Sequence, residues 1–293
     1  MHLPPSHAVR DLPTLHAFIQ QHPLGVLTTS LPGKHPTLQC SHIPWVLDDV
    51  SAPPEINPSN GVPEPSLGIL RGHIARANPQ GKAMIEASRI ESTPMPGTFP
   101  TDEPQSPSIG HTLPEEALII FTSPVDHYIS PNLYTDSKPG GRVAPTWNYA
   151  AVQVYGHVTL HHEAQDPHTE SFLRQQLGDL ARLGEEGIMG YEGTSPQPRS
   201  NGLGSASAAS PKPWEIADAP GEYIAALLKN IIGMRIEITR IEGRFKVSQE
   251  KGAGDRGGVV EGLQGMGGMA TNMADFVRRG RVLDPSARGI RGV

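Results

Sequence analysis

Apolar residues change their spacing several times along the chain, and each change marks an element. Leu12, Leu15, Phe18 and Ile19 recur at helical intervals behind Asp11, a capping residue, and His22-Pro23 stops the turn. Leu24–Thr29 then reads as a strand, as do Ile43–Leu47 and Leu67–Ile74, and Ala117–Phe121 is a buried strand by composition. Between Tyr149 and Leu160, Val152, Val154, Val158 and Leu160 alternate with Gln153, Tyr155, His157 and Thr159, which predicts a long strand with one buried face. Asp166-Pro167 supplies the cap and first-turn proline of a helix through Leu173, Leu177 and Leu180. Ile224, Leu227, Leu228 and Ile231 predict an amphipathic helix ended by Gly233. Met234, Ile236 and Ile238 predict a strand, Phe245 and Val247 a short second one, and Asn272–Arg279 a last helix.

Short strands with helices at intervals predict an α+β protein on an antiparallel sheet or barrel. A doubly wound fold is not expected, because no Gly-rich strand-to-helix turn opens a regular alternation. Gly (32) and Pro (30) make up about a fifth of the 293 residues. Much of that excess lies in Ser51–Ser66, Ser92–Leu113 and Gly193–Pro213, which carry few large apolar groups and read as disordered insertions. The expectation is one domain over residues 1–279 with insertions near 51–66, 92–113 and 193–213, and a flexible tail over 280–293.

A net charge of −6 argues against a chain coated for nucleic acid. No helix–turn–helix pattern is present, so direct DNA contact is not expected except through a basic patch at Arg278, Arg279, Arg281, Arg288 and Arg291. The single cysteine, Cys40, excludes an internal disulfide and fits a reducing compartment. No apolar run approaches the ~20 residues that span a bilayer, and the N-terminus lacks the pattern of a secretory signal. These features predict a cytoplasmic protein, or one that is also nuclear in a eukaryote.

Three segments carry chemistry. In Leu70–Gln80, Arg71 and His73 share one strand face and Arg76 and Asn78 follow in a turn. Such donors suit an anion, because guanidinium groups present paired N–H groups to phosphate oxygens, although a solvated basic strand end has the same composition. In Pro145–Gly156, Trp147 offers a flat wall beside the Asn148 amide, suited to a planar heterocycle or equally to capping a core. Lys246 and Ser248, with Gln249, could hold a phosphate or face water, and Lys138 adds a cation on a Gly- and Pro-rich loop. His157, His161, His162 and His168 crowd one stretch, but strand parity puts His157 and His161 outward, so solvated histidines and no metal are expected.

Taken together, Pro23–Thr29 (PLGVLTT), Ser41–Pro44 (SHIP), LRGHIARANPQ, Ser130–Tyr134 (SPNLY) with Ser137-Lys138, PTWNYAAVQVYG, and Ile238–Gln249 (ITRIEGRFKVSQ) followed by Asp255-Arg256 resemble the PaiB-type FMN-binding negative transcriptional regulators. The resemblance implies an antiparallel split β-barrel, a homodimer with flavin at the subunit interface, and FMN as cofactor. It points to Arg71, His73, Arg76, Asn78, Lys138, Thr146, Trp147, Asn148, Lys246, Ser248 and Gln249 as cofactor-binding residues. Glu250 departs from the family's Asn at that place, and a carboxylate there would repel a phosphate. The implied function is regulatory, through a partner protein. The alternatives are a flavin-dependent oxidoreductase of the same barrel class, or a haem-binding or haem-degrading relative.

Overall fold

The computed structural model describes residues 1–33, 35–48, 55–56, 63–64, 66–91, 110–191 and 211–280. Most of the residues read as insertions, and nearly all of the tail, lie outside these ranges. The strands, in chain order, are β1 (Ala8–Val9), β2 (Leu24–Ser30), β3 (Leu38–Pro44), β4 (Val46–Asp48), β5 (Glu55–Ile56), β6 (Pro63–Glu64), β7 (Ile69–Ala75), β8 (His111–Thr122), β9 (His127–Ile129), β10 (Thr146–His161) and β11 (Ile231–Lys246). The helices are α1 (Leu12–Gln21), α2 (Pro79–Glu91), α3 (Pro167–Arg182), α4 (Gly221–Lys229), α5 (Ala253–Gln264) and α6 (Gly268–Arg279).

The main sheet is antiparallel and runs β3-β2-β8-β10-β11-β7-β4, with β1 against β11 and β9 against β10, while β5 and β6 pair separately. β3 stands at one end and β4 at the other, yet only Trp45 separates them in the chain. The chain therefore carries one edge of the sheet across to the opposite edge, and a barrel results. Trp45 plugs the crossing: it is 1 % exposed, and a Cβ added to Gly72 on β7 would lie 2.8 Å from its ring. The α+β expectation thus holds, with a core that includes Leu27, Ile119, Val152, Val154, Ile236 and Phe245 and is covered at one end by Leu15, Phe18 and Ile19 of α1.

Side-chain packing moved several boundaries. Ile231 and Gly233 belong to β11 and not to the end of α4, because they pair with Ala75 and His73 of β7; a side chain at Gly233 would also strike the Phe172 ring of α3 at 2.5 Å. The two short strands expected near the C-terminus are one strand of sixteen residues. β8 begins at His111, inside the stretch read as an insertion, and Leu113 is buried in the core. Helix α2, capped by Asn78, was not legible, since its apolar positions Ala83, Met84 and Ala87 are mostly small.

Helix α5 replaces what read as a Gly-rich connection. Gly254, Gly258 and Gly262 fall four apart on one helical face, and the segment carrying Leu133 and Asp136 lies against it. A Cβ at Gly258 would stand 2.2 Å from the Leu133 carbonyl oxygen, whereas one at Gly257 meets nothing within 4 Å. The contact joins α5 and α6 to a second core containing Ile129, Tyr134, Val247, Val259 and Met273.

Gly258→Ala should lower stability by about 1–3 kcal/mol, the usual effect of overpacking. Gly257→Ala on the same helix should be neutral, or stabilise by up to roughly 1 kcal/mol through helix propensity. Urea denaturation of both variants separates the two outcomes. His22, which ends α1 with its ring edge-on to Phe18 at 4.6 Å, has its pKa pushed by burial from the ordinary 6.5 down to about 4. The unfolded chain therefore binds a proton that the folded chain refuses between these values, and stability should fall as pH drops from 6.5 toward 4. His22→Gln should flatten that fall in denaturation curves recorded at successive pH values.

Candidate cofactor site

The register of β10 on β11 sets Tyr149 opposite Lys246, so Thr146, Trp147 and Asn148 stand beside the end of β11. The Lys246 ammonium donates to the Thr146 hydroxyl and, at 2.9 Å, to the Trp147 carbonyl oxygen. Among the described residues no carboxylate lies within ion-pair distance of it. Burial lowers its pKa, and the positive charges of Arg244 and Lys251 add to that against the opposing Glu250. An anion at this place would relieve both effects.

Asn148 is fully buried and donates from Nδ2 to the Ser248 hydroxyl at 2.9 Å, while its Oδ1 has no hydrogen-bond partner. Ser248 holds a left-handed φ of 59° while 1 % exposed, a conformation that costs a residue with a Cβ on the order of 1 kcal/mol. Gln249 fixes that turn from within: its side-chain oxygen accepts from the Val247 N–H at 2.7 Å and its amide donates to the carbonyls of Ser6, at 3.0 Å, and Phe245. Glu250, the residue expected to repel a phosphate, lies 3.0 Å from Nε2 of the buried His7.

Trp147 is 52 % exposed and does not cap a core. Its indole N–H donates to Asp126 at 2.9 Å, and Tyr128, its register partner on β9 and 44 % exposed, meets it edge-on at 6.1 Å. Sequence reasoning missed Tyr128 and Asp126, since β9 has only three residues and shows no readable alternation. Lys138 is exposed on the adjoining loop. Ser137 beside it is engaged elsewhere: Asp255 on α5 accepts from the backbone N–H groups of Asp136 and Ser137, at 2.9 and 3.0 Å, and from the Ser137 hydroxyl. Those bonds, the hydroxyl's foremost, hold the Asp255 pKa below the ordinary carboxylate value.

The strand-turn group lies elsewhere. Arg71 pairs with Arg235 on β11, eleven residues from Lys246 and so roughly 35 Å away along the strand. Its guanidinium donates to both oxygens of Asp48 at 2.6 Å and to Asp179 on α3 at 2.8 Å. His73 meets the Gln176 side-chain oxygen at 2.7 Å, and burial lowers its pKa. Arg76 donates to the carbonyls of His162, at 2.6 Å, Lys229 and Ile231. Asn78 caps α2 and reaches Ser41. These four residues therefore tie β7 to its neighbours and do not converge on one point, whereas Lys246 meets Thr146 and Asn148 meets Ser248 where β10 begins and β11 ends. The histidines differ from expectation too. His161 is 4 % exposed because the Phe172 ring of α3 stacks on it at 3.9 Å, and His162 is equally buried.

Residues 1–240 match a family described as "Putative FMN-binding domain". A curated protein of Aspergillus fumigatus, described as uncharacterized, is 43 % identical over 269 residues, which cover 91 % of this chain and 92 % of the relative. Another of Emericella nidulans, likewise described, is 38 % identical over 288 residues, covering 97 % and 99 %. Among solved structures, a pyridoxamine 5'-phosphate oxidase-related, FMN binding protein of Nostoc punctiforme is similar at 11 % identity and a TM-score of 0.32, over 83 % of this chain and 86 % of that one. An FAD and heme binding protein of Mycobacterium smegmatis is similar at 10 % identity and a TM-score of 0.39, over 82 % and 73 %. The donor set around Lys246 fits FMN, the cofactor of the matched family: a desolvated ammonium held only by neutral oxygens suits a phosphate, and an exposed indole suits a flat heterocycle. The matched residues span most of the chain, and it belongs to the FMN-binding domain family.

Proposed function

We propose that the β10–β11 end binds FMN, with the phosphate on Lys246 and Lys138 and the flavin ring against Trp147. The observation that carries this reading is the contrast between two cations. Arg71 is neutralised by two carboxylates, whereas Lys246 is partly desolvated and meets only the oxygens of Thr146 and Trp147. Thr146 and the Trp147 carbonyl orient the ammonium, the Asn148–Ser248 bond fixes the turn behind it, and Tyr128 and Asp126 set the angle of the indole. Bound FMN supplies hydride and single-electron transfer, and the protein supplies position and electrostatics.

The finer reading is a PaiB-type regulator that acts as a homodimer and through a partner protein. It is supported by the run of family-like segments from PLGVLTT to ITRIEGRFKVSQ and by an acidic balance that weakens counterion-driven DNA binding. A second copy would cover the exposed Trp147 and Tyr128. Sedimentation should show a dimer, and a monomer at every concentration would overturn that part of the proposal.

Titrating FMN and riboflavin against three variants tests the site. A charge-assisted hydrogen bond contributes on the order of 1.5–3 kcal/mol, so Lys246→Ala should weaken FMN roughly tenfold to a hundredfold and leave riboflavin nearly unchanged. Trp147→Ala should weaken both ligands alike, since stacking does not involve the phosphate. Arg71→Ala should affect both ligands equally but lower stability by roughly 1–3 kcal/mol, because Asp48 loses its partner and Asp179 keeps only Arg182 among the described residues. A loss confined to FMN in Arg71→Ala, with Lys246→Ala unaffected, would return the phosphate to the strand-turn group.

A further inference from the structure

At the far end of the barrel, β8 and β10 set two imidazoles and a carboxylate together. His111 opens β8 directly opposite Leu160 on β10, and His162 follows immediately after β10 ends at His161. The rings stand 5.1 Å apart. Glu163 follows, with Oε1 3.2 Å from Nδ1 of His162. His111, His162 and Glu163 can each offer one ligand atom such that all three lie within 4.8 Å of one another.

A second observation singles this group out. The His162 side chain is only 2 % exposed, and its Nε2 is buried with no hydrogen-bond partner. A buried imidazole ordinarily has both nitrogens satisfied, so this ring is under-coordinated. The 3.2 Å between Nδ1 of His162 and Oε1 of Glu163 is close to the about 3.4 Å that separates two donors on a tetrahedral zinc at bonds of about 2.1 Å. Glu163 is 61 % exposed, which leaves the group reachable from solvent.

We propose that His111, His162 and Glu163 form a three-ligand site for a divalent transition ion, with Zn²⁺ as its first choice, open to water on the Glu163 side. Two nitrogens and one oxygen do not suit Mg²⁺ or Ca²⁺, which take oxygen ligands. Arg76, which donates to the His162 carbonyl oxygen, and Arg89 both act on His162 electrostatically. Their charges oppose any cation, and so favour one whose bond to imidazole is partly covalent. The bound ion would cross-link β8 to β10 where the two strands end. Nothing in this proposal depends on the flavin site, which lies at the opposite end of β10.

The test uses the untagged full chain, stripped with a chelator and titrated with Zn²⁺ and Co²⁺, with Mg²⁺ for comparison. Equilibrium dialysis should show one Zn²⁺ per chain, Co²⁺ should give visible bands of low coordination number, and Zn²⁺ but not Mg²⁺ should raise the melting midpoint. His111→Ala and Glu163→Gln should each weaken Zn²⁺ at least about tenfold, the loss that follows even from removing a group that merely supports a metal ligand. Both side chains reach solvent, so the metal-free variants should melt near the wild type. No saturable uptake by the wild type, or wild-type affinity in either variant, overturns the proposal.

Discussion

The ladder between β10 and β11, two strands of sixteen residues, is the constraint from which the rest of the molecule is built. It runs from Tyr149 opposite Lys246 to His161 opposite Gly233, with one irregularity at Tyr155–Gly156. β8 pairs along the outer side of β10, β7 along the outer side of β11, and the crossing at Trp45 closes the remainder. Because the side-chain period of a strand is two, a slip of β10 by one residue would turn Val152 and Val154 out of the core together. The same register brings Asn148 to Ser248 and Lys246 to Thr146, so the contacts at that end inherit the precision of the core.

Charge is handled in opposite ways at the two ends of this ladder. Arg71 is almost enclosed, and two aspartates from β4 and α3 neutralise it, which makes it a clasp between β7 and the outer helix. Lys246 receives only neutral oxygens and stays partly desolvated beside exposed aromatic rings. Residue type alone does not separate these outcomes. An arginine-rich strand end and a phosphate site have the same composition until the position of Asp48 and Asp179 is known.

Much of the architecture was legible because periodicity reports burial directly. The alternation in Val152–Leu160 and the Asp166-Pro167 helix start both express local rules, and the long strand and α3 stand where those rules put them. The family-like segments likewise singled out Trp147, Asn148, Lys246 and Ser248, which the fold sets together at one end of the β10–β11 ladder. His161 shows where the rule stops: its parity points it out of the barrel, and the Phe172 ring from a helix later in the chain buries it.

The amino-acid order was enough for the antiparallel α+β plan and for a set of candidate residues, since strand alternation, capping and donor type are properties of neighbours in the chain. The tertiary structure alone decided which of those residues meet. Arg71 and Lys246 lie at opposite ends of one partner strand, a fact fixed by pairing between segments more than seventy residues apart in the chain. The same holds for α5, whose glycines read as a loop until the segment around Leu133 lies against them. His111 and His162 also meet only through the β8–β10 register. Contacts between distant segments depend on shape and register across the whole sheet, and no local pattern encodes them.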